Sequence, residues 1–190
     1  AFCPHFHLSL QSGAERTLRR MNRHYTKEEF REAVNRIREV YPLAAITTDV
    51  IVGFPGETEE DFQESKAFLE EIGFYDMHIF KYSRRKGTRA DEMPEQIPEA
   101  VKKERSRILL TLAEEDSARF RAKLVGKERE VLIEEEQEIE GQRYYTGFDE
   151  TYVRYYIPKE DSLLSGKIYT VYAEKVQAES ILGKVLKIRS

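Results

Sequence analysis

The feature that most limits the fold of this chain is a nearly continuous apolar run, Ala45–Phe54, between two amphipathic helical patterns. Such a run is typical of a parallel strand that is covered on both faces, whereas half-exposed antiparallel strands alternate apolar with polar residues. Upstream, Thr26 and Glu29 predict a capping box for a helix that Pro42 ends. Downstream, Thr58 and the acidic residues after it predict the start of another helix. The run is therefore expected to form a buried strand between two helices.

Weaker patterns on both sides extend the same alternation. Phe6–Leu10 and Asp76–Ser83 have the composition of strands, and helical spacing recurs over Ala14–Met21 and between residues 101 and 120. Strands that alternate with helices imply right-handed crossovers and a parallel sheet. The chain is therefore expected to form an α/β domain over residues 1–123.

The pattern changes at about Leu124, where short strands with glycines between or beside them replace the helices. This spacing predicts a small antiparallel β-barrel over residues 124–190. The acidic run Glu134–Glu136 is expected at a hairpin end in solvent. The predicted strands are Val131–Ile133, Tyr144–Gly147, Val153–Ile157, Lys167–Ala173 and Lys184–Ile188.

Composition excludes several classes of protein. The 190 residues carry a net charge of −4, so net charge does not favour nonspecific nucleic-acid binding. The single cysteine, Cys3, excludes an internal disulfide framework and an all-cysteine metal site made by this chain alone. No apolar run is long enough for a membrane span, and no signal peptide is recognisable. We therefore expect a cytoplasmic protein with no membrane partner. The abrupt start without an initiator Met suggests an excised fragment.

Side-chain parity places polar residues on one face of the predicted sheet. Ser9 and Gln11 share a face of the first strand, and Thr47 and Asp49 share a face of the second. Because helices cover the apolar face, the polar face is expected to line a cavity near the carboxyl ends of the strands. A buried Asp49 needs a hydroxyl, amide or cation, since an unpaired carboxylate is costly to bury. A ligand or only protein groups could supply it.

Other local patterns are less specific. The turn Gly53–Glu57 leads from the second strand into a helix, where exposed amides suit an anion, but it lacks the spacing of the common phosphate loops. His5 and His7 are expected to be packed or hydrogen-bonded rather than metal ligands, because two ligands do not make a site. No Ser-His-Asp or Cys-His arrangement is readable, so no catalytic residue and no metal site are predicted.

Two sets of residues are candidates for contact with RNA. The basic cluster after the third strand can hold phosphates, although a solvated loop explains it equally well. The tyrosines of the second domain can stack on bases or can form its core. The candidates in the basic cluster are Arg84, Arg85, Lys86 and Arg89.

Several motifs together resemble the radical S-adenosylmethionine (SAM) methylthiotransferases. The resemblance covers essentially the whole chain, and its tail is similar to the TRAM domain of that family, an RNA-binding, OB-like small barrel. The sequence of the first motif is most similar to that of the corresponding motif in the enzyme that acts on N6-threonylcarbamoyladenosine beside the tRNA anticodon. The motifs are His7–Gly13 (HLSLQSG), Met21–Arg23, Tyr25-Thr26, Thr48–Thr58 (TDVIVGFPGET), and Tyr82-Ser83 with Gly87-Thr88.

The resemblance implies a mechanism that this chain does not carry out by itself. In the family, a [4Fe–4S] cluster held by CxxxCxxC reduces SAM to a radical that abstracts hydrogen, a second cluster takes part in sulfur insertion, and a second SAM supplies the methyl group. This chain has neither cysteine triad. It resembles the C-terminal half of the parallel (β/α) radical SAM barrel plus the TRAM domain. The missing N-terminal half and the tRNA anticodon stem-loop are therefore its expected partners, and the fragment alone is expected to be inactive.

The resemblance also implies cofactor contacts. In related radical enzymes, a Gln that ends one strand, an Arg twelve residues later and an Asp on the next strand contact SAM, and Gln11, Arg23 and Asp49 occupy that pattern. Ser9 and Gly53 are expected to line the same cavity. Two other functions stay open: methylthiolation of isopentenyladenosine, and a non-catalytic RNA-binding or interaction module.

Overall fold

The computed structural model describes residues 3–160 and 162–188 in two units. One unit comprises Phe6–Ser117, and the other comprises the chain from Ala118 onward together with the first residues up to His5. The division lies within one long helix, and the predicted boundary near Lys123–Gly126 lies at the end of that helix. None of the helices in the described part is long and apolar enough to cross a bilayer.

The first unit is built on a three-stranded parallel sheet with the strand order β1-β2-β3. Strand β2 occupies the predicted apolar run and lies in the centre of the sheet. The observed first strand is shorter than the predicted Phe6–Leu10, although Gln11 adds an isolated parallel bridge to Val50. The elements are β1 (His5–His7), α1 (Glu15–Arg20), α2 (Lys27–Val40), β2 (Ala45–Val52), α3 (Glu59–Ile72), β3 (Asp76–Lys81), α4 (Arg89–Glu92) and α5 (Glu99–Leu124).

Local signals fix the ends of the helices. Thr26 and Thr58 each cap a helix through a complete capping box, and the capping box of Thr26 is the predicted one. Gly73 ends α3 in the left-handed conformation, at φ +61°. Helix α4 is a single turn that the sequence did not indicate.

The apolar face of the sheet forms the core of the first unit. Ile46, Val50 and Val52 of β2 belong to one buried cluster with residues of α2, α3 and α5, as their parity predicted. The members from these helices include Val34, Phe62, Phe68, Leu69, Leu109 and Leu112. Because the helices occupy this face, Thr47 and Asp49 of β2 lie on the opposite face of the sheet.

The second unit contains five strands that close into a barrel in the order β4-β5-β6-β8-β7. The prediction of an antiparallel barrel is wrong at one place, because β6 pairs with β8 in parallel and the sheet is therefore mixed. Buried residues from several strands fill the barrel, among them Val131, Tyr155 and Tyr169. The strands are β4 (Glu128–Ile139), β5 (Gln142–Asp149), β6 (Arg154–Pro158), β7 (Ile168–Gln177) and β8 (Ser180–Ile188).

The acidic run Glu134–Glu136 does not lie at a hairpin end. It lies inside β4, next to an irregularity in the pairing with β5, and its side chains are exposed. The turn comes later, at Glu140 and Gly141, which both have positive φ. The solvent-exposed part of a long strand tolerates successive charges, so the charge run marked exposure correctly but not the turn.

Candidate functional site

The face of the parallel sheet opposite the helices, called the open face below, brings polar residues of three strands together. Asp49 of β2 is the register partner of His78 of β3, and two residues further along each strand Ile51 is the partner of Phe80. His7 of β1 reaches the same face, since its Nδ1 lies 3.0 Å from Thr47 Oγ1. This face therefore changes from polar to apolar toward the carboxyl ends of the strands.

The Asp49 carboxylate lies between two imidazoles. Its Oδ2 lies 3.3 Å from His7 Nε2, and its Oδ1 lies 3.1 Å from His78 Nδ1. The predicted need of Asp49 for a partner is thus met by protein groups in this structure. His7 is hydrogen-bonded, as expected. The contact of His78 with Asp49 was not predicted, because His78 is far from His7 and Asp49 in the sequence. Only the strand register reveals this contact.

The structure also brings Ser9 and Gln11 to this region. The backbone N–H of Gln11 donates to the backbone carbonyl of Asp49 at 2.8 Å. The backbone carbonyl of Gln11 accepts from the backbone N–H of Ile51 at 2.8 Å. Gln11 is buried and has a φ of +69°, which turns the chain away from the sheet at this point. Ser9 Oγ lies 3.2 Å from His7 Nε2. Three of the predicted cofactor contacts, Ser9, Gln11 and Asp49, therefore lie on neighbouring segments.

Arg23 lies in the exposed connection between α1 and α2. The Tyr25 hydroxyl, two residues later, ties this connection to the first segment by donating to the Leu10 carbonyl at 2.7 Å. Burial raises the pKa of Tyr25, and the charge of Arg23 partly opposes that rise. Whether Arg23 joins Gln11 and Asp49 around one ligand stays a prediction.

The turn after β2 is built around two glycines with positive φ. Gly53 has a φ of +72°, and a side-chain carbon there would lie 2.1 Å from Lys102 Cγ. Gly56 has a φ of +79°, and the Arg20 guanidinium occupies the corresponding space. The Gly53 amide donates to the Glu57 carboxylate at 2.9 Å, so this amide already has an anionic partner within the protein.

A cavity of about 610 Å³ opens at the carboxyl ends of β2 and β3. Its walls are mainly apolar and aromatic, and the rings of Phe54 and Tyr82 meet edge to face at 5.3 Å. Apolar walls with a few polar groups nearby are typical of sites for small molecules that contain a planar ring. The cavity is lined by Ile51, Phe54, Phe80, Lys81, Tyr82, Ser83, Arg85, Thr88 and Ala90.

The basic cluster divides into exposed and engaged side chains. All four predicted residues are exposed, but Arg84 donates to the Asp91 carboxylate at 2.7 Å. Two nearby cations of α5, Lys102 and Arg105, are buried. Lys102 Nζ donates to the Tyr82 carbonyl, and Arg105 pairs with Glu57. These two cations stabilise the fold rather than present charge to a ligand.

The aromatic residues of the second unit divide into buried core residues and partly exposed rings. Tyr145, Tyr155 and Tyr169 are buried in the barrel, and burial raises the pKa of Tyr155. Other rings are at least partly exposed, as in the stack of Phe148 on Tyr152 with ring centroids 5.3 Å apart. The partly exposed rings are of the kind that stacks on bases in other small barrels.

Comparisons with known proteins agree on one family. Residues 1–69 match the Radical SAM superfamily. A threonylcarbamoyladenosine tRNA methylthiotransferase from Aquifex aeolicus is 50% identical over 141 residues, which cover 74% of this chain and 34% of the relative. A tRNA-2-methylthio-N(6)-dimethylallyladenosine synthase from Caldicellulosiruptor saccharolyticus is 48% identical over 132 residues, which cover 70% of this chain and 28% of the relative.

A third relative aligns with almost the whole chain. The tRNA-2-methylthio-N(6)-dimethylallyladenosine synthase from Thermoanaerobacter sp. is 39% identical over 186 residues, which cover 98% of this chain and 39% of the relative. The chain thus spans between 28% and 39% of the length of these three relatives. The similarity extends over both units of the chain.

Proposed function

Since this chain belongs to the radical SAM methylthiotransferase family, we propose that it forms the nucleoside-binding and tRNA-binding part of a methylthiotransferase. The proposed substrate is N6-threonylcarbamoyladenosine next to the anticodon of a tRNA. The observation that carries this proposal is the position of the Asp49 carboxylate beside an apolar cavity at the carboxyl ends of two parallel strands.

The residues on this face fit SAM. Its adenine is planar and suits the cavity walls formed by Ile51, Phe54 and Phe80. A carboxylate such as Asp49 accepts from ribose hydroxyls or an ammonium group, and Gln11 can bind either kind of partner. Arg23 would hold the carboxylate of the amino acid part in a fork. When bound, SAM would supply the radical that abstracts hydrogen and the transferred methyl group.

The chain does not fit an iron–sulfur cluster. Its only cysteine is Cys3, whereas such clusters take several thiolate ligands. The cluster ligands would therefore come from the N-terminal half of the whole enzyme, which is consistent with the share of the relatives that this chain spans. The role of the present chain is then to bind and orient the nucleoside parts of SAM and of the tRNA. The isolated chain is expected to be inactive.

Contacts with the tRNA are proposed for both units. The exposed cations Arg85, Lys86 and Arg89 would hold phosphates of the anticodon stem-loop, and Arg84 would contribute where its pair with Asp91 opens. We propose that residues 124–190 form a TRAM domain, whose partly exposed rings would stack on bases. A cytoplasmic location follows from this proposed substrate.

A second substrate is favoured by particular relatives. The proteins from Caldicellulosiruptor and Thermoanaerobacter are named for dimethylallyladenosine, the isopentenyl-modified base. The alternative function is therefore methylthiolation of that nucleoside. A non-catalytic RNA-binding or interaction module is the third possibility, and it predicts RNA binding without any contribution to product formation.

Grafting this chain into relatives tests the proposal. The aligned part of this chain would replace the matching segment of the Aquifex or the Thermoanaerobacter protein. The chimeras, once their iron–sulfur clusters are assembled, would be given tRNA that contains both modified adenosines. Nucleoside analysis by mass spectrometry should find the methylthio group on threonylcarbamoyladenosine with both chimeras. The product should disappear with Asp49→Ala.

The outcomes separate the candidate functions. A dimethylallyladenosine product from both chimeras would support the alternative substrate, and a product that follows the recipient would place specificity outside this chain. Folded chimeras with intact clusters but no product would favour the non-catalytic module. Calorimetry of the isolated chain with S-adenosylhomocysteine should show only weak binding, and tight binding would contradict a pocket shared with the missing half.

A further inference from the structure

Two histidines and one carboxylate meet at a single point on the open face of the parallel sheet. His7, Asp49 and His78 come from three different strands and each offers one ligand atom, and these three atoms lie within 4.8 Å of one another. Imidazole nitrogens and a carboxylate oxygen are a common ligand set for divalent transition metals. We propose that these three residues form a binding site for a divalent transition metal ion such as Zn²⁺.

The spacing of the ligand atoms suits a metal. Zinc bonds to imidazole nitrogen and carboxylate oxygen are about 2.0–2.2 Å long, so two ligands at a tetrahedral angle are separated by about 3.3 Å. Asp49 Oδ2 lies 3.3 Å from His7 Nε2 and Asp49 Oδ1 lies 3.1 Å from His78 Nδ1, and one ligand atom from each of the three residues lies within 4.8 Å of the others. A small rotation of the His78 side chain, which is 54% exposed, would bring the two nitrogens closer together.

Neighbouring groups orient both imidazoles for this role. Ligating histidines usually donate their other ring N–H to an oxygen, which fixes the tautomer and the orientation of the ring. Thr47 Oγ1 lies 3.0 Å from His7 Nδ1, so Nε2, which also lies 3.2 Å from Ser9 Oγ, is the nitrogen that faces Asp49 and the ion. The Asp76 carboxylate lies 3.6 Å from His78 Nε2, an ion-pair distance rather than a hydrogen bond, and Nδ1 lies 3.1 Å from Asp49 Oδ1. Each histidine therefore has its own supporting oxygen on the same sheet face.

Solvent can complete the coordination. The side chains of His7 and Asp49 are 39% and 29% exposed, so an ion has a path to the site and water can fill the remaining positions. A closed structural zinc site has four protein ligands, whereas three protein ligands leave one position open for water. The inference rests on this geometry and not on the proposed function. Because Asp49 is also a proposed SAM contact, metal and nucleoside should compete for the site.

Cobalt titration of the untagged 190-residue chain tests the site. Tetrahedral Co²⁺ gives visible absorption bands, and we expect them to saturate at one ion per chain and to disappear when Zn²⁺ is added. His78→Ala should remove the bands, since its exposed side chain can be truncated without loss of the fold, which circular dichroism would verify. Asp76→Asn should weaken Zn²⁺ binding by about 10–100-fold through loss of its support.

Two matched variants exclude other ligands. His24→Ala removes an exposed histidine of the same unit, and Cys3→Ser removes the only thiol. Both variants should bind Co²⁺ and Zn²⁺ as the unchanged chain does. The proposal is overturned if no bands form, if His78→Ala keeps them, or if Cys3→Ser alone removes them. These outcomes do not depend on methylthiolation, so a failed graft experiment would leave this result unaffected.

Discussion

Arg105 donates from one guanidinium nitrogen to the Glu57 carboxylate at 2.7 Å and to the Glu57 backbone carbonyl at 3.1 Å. Both side chains are buried, and the same carboxylate oxygen accepts from the Gly53 amide. Burial raises the pKa of Glu57, whereas Gly53 and Arg105 oppose that rise. The pair therefore connects α5 to the turn that leads away from β2.

Removing Arg105 should destabilise the first unit strongly. Arg105→Met leaves a buried carboxylate without its cation, a change that typically costs about 3–5 kcal/mol. Urea unfolding monitored by circular dichroism would measure the loss. Arg107→Met is the matched control, because Arg107 pairs with Glu104 at the surface and should change stability by no more than about 0.5 kcal/mol. Similar losses for both variants would contradict a structural role of the buried pair.

Gly53 should tolerate alanine poorly for two separable reasons. Its φ of +72° is unfavourable for other residues by about 1–2 kcal/mol, and an added carbon would also overlap Lys102 Cγ. Gly87→Ala is a control for the first cost alone, since Gly87 has a φ of +83° and no atom within 4 Å of the added carbon. Urea midpoints should fall further for Gly53→Ala than for Gly87→Ala. Equal shifts would mean that the Lys102 side chain moves away without cost.

The exposed carboxylate of Glu99, which contacts both Lys81 and Lys102, should make stability depend on pH. Hydrogen bonds from Lys81 and then Lys102 lower the pKa of Glu99 from 4.5 to about 2. Because the folded pKa is the lower one, the stabilisation is complete above about pH 4.5 and is lost as the pH falls toward 2. Thermal unfolding of the unchanged chain and of Glu99→Gln should therefore differ at neutral pH and converge in acid.

A second glutamate provides the control for this pH effect. Glu114 is an exposed residue in the middle of the same helix. The difference between the unchanged chain and Glu114→Gln should not follow the pH in the same way. A constant difference for Glu99→Gln across the acid range would show that the lysines do not act through its charge.

Short-range signals predicted much of the first unit. The apolar run gave β2 its central place, and the capping box at Thr26 marked the start of α2, because both effects act within a few residues. The meeting of His7, Asp49 and His78 depends on the register of three strands, which no local pattern contains. The pairing that buries Arg105 also joins residues 48 positions apart, so no local pattern in α5 indicated it.

Arg85 should contact RNA phosphates directly, whereas Arg84 should contribute only where its pair with Asp91 opens. Both side chains are exposed, but the Arg84 guanidinium is already held by the Asp91 carboxylate and carbonyl. Each phosphate contact contributes about 0.7–0.9 to the slope of log affinity against log salt concentration. Filter binding of an anticodon stem-loop should therefore show a slope smaller by about that amount for Arg85→Ala and an unchanged slope for Arg84→Ala. If the two slopes change equally, the pair with Asp91 opens on binding and all the cations of the segment act alike.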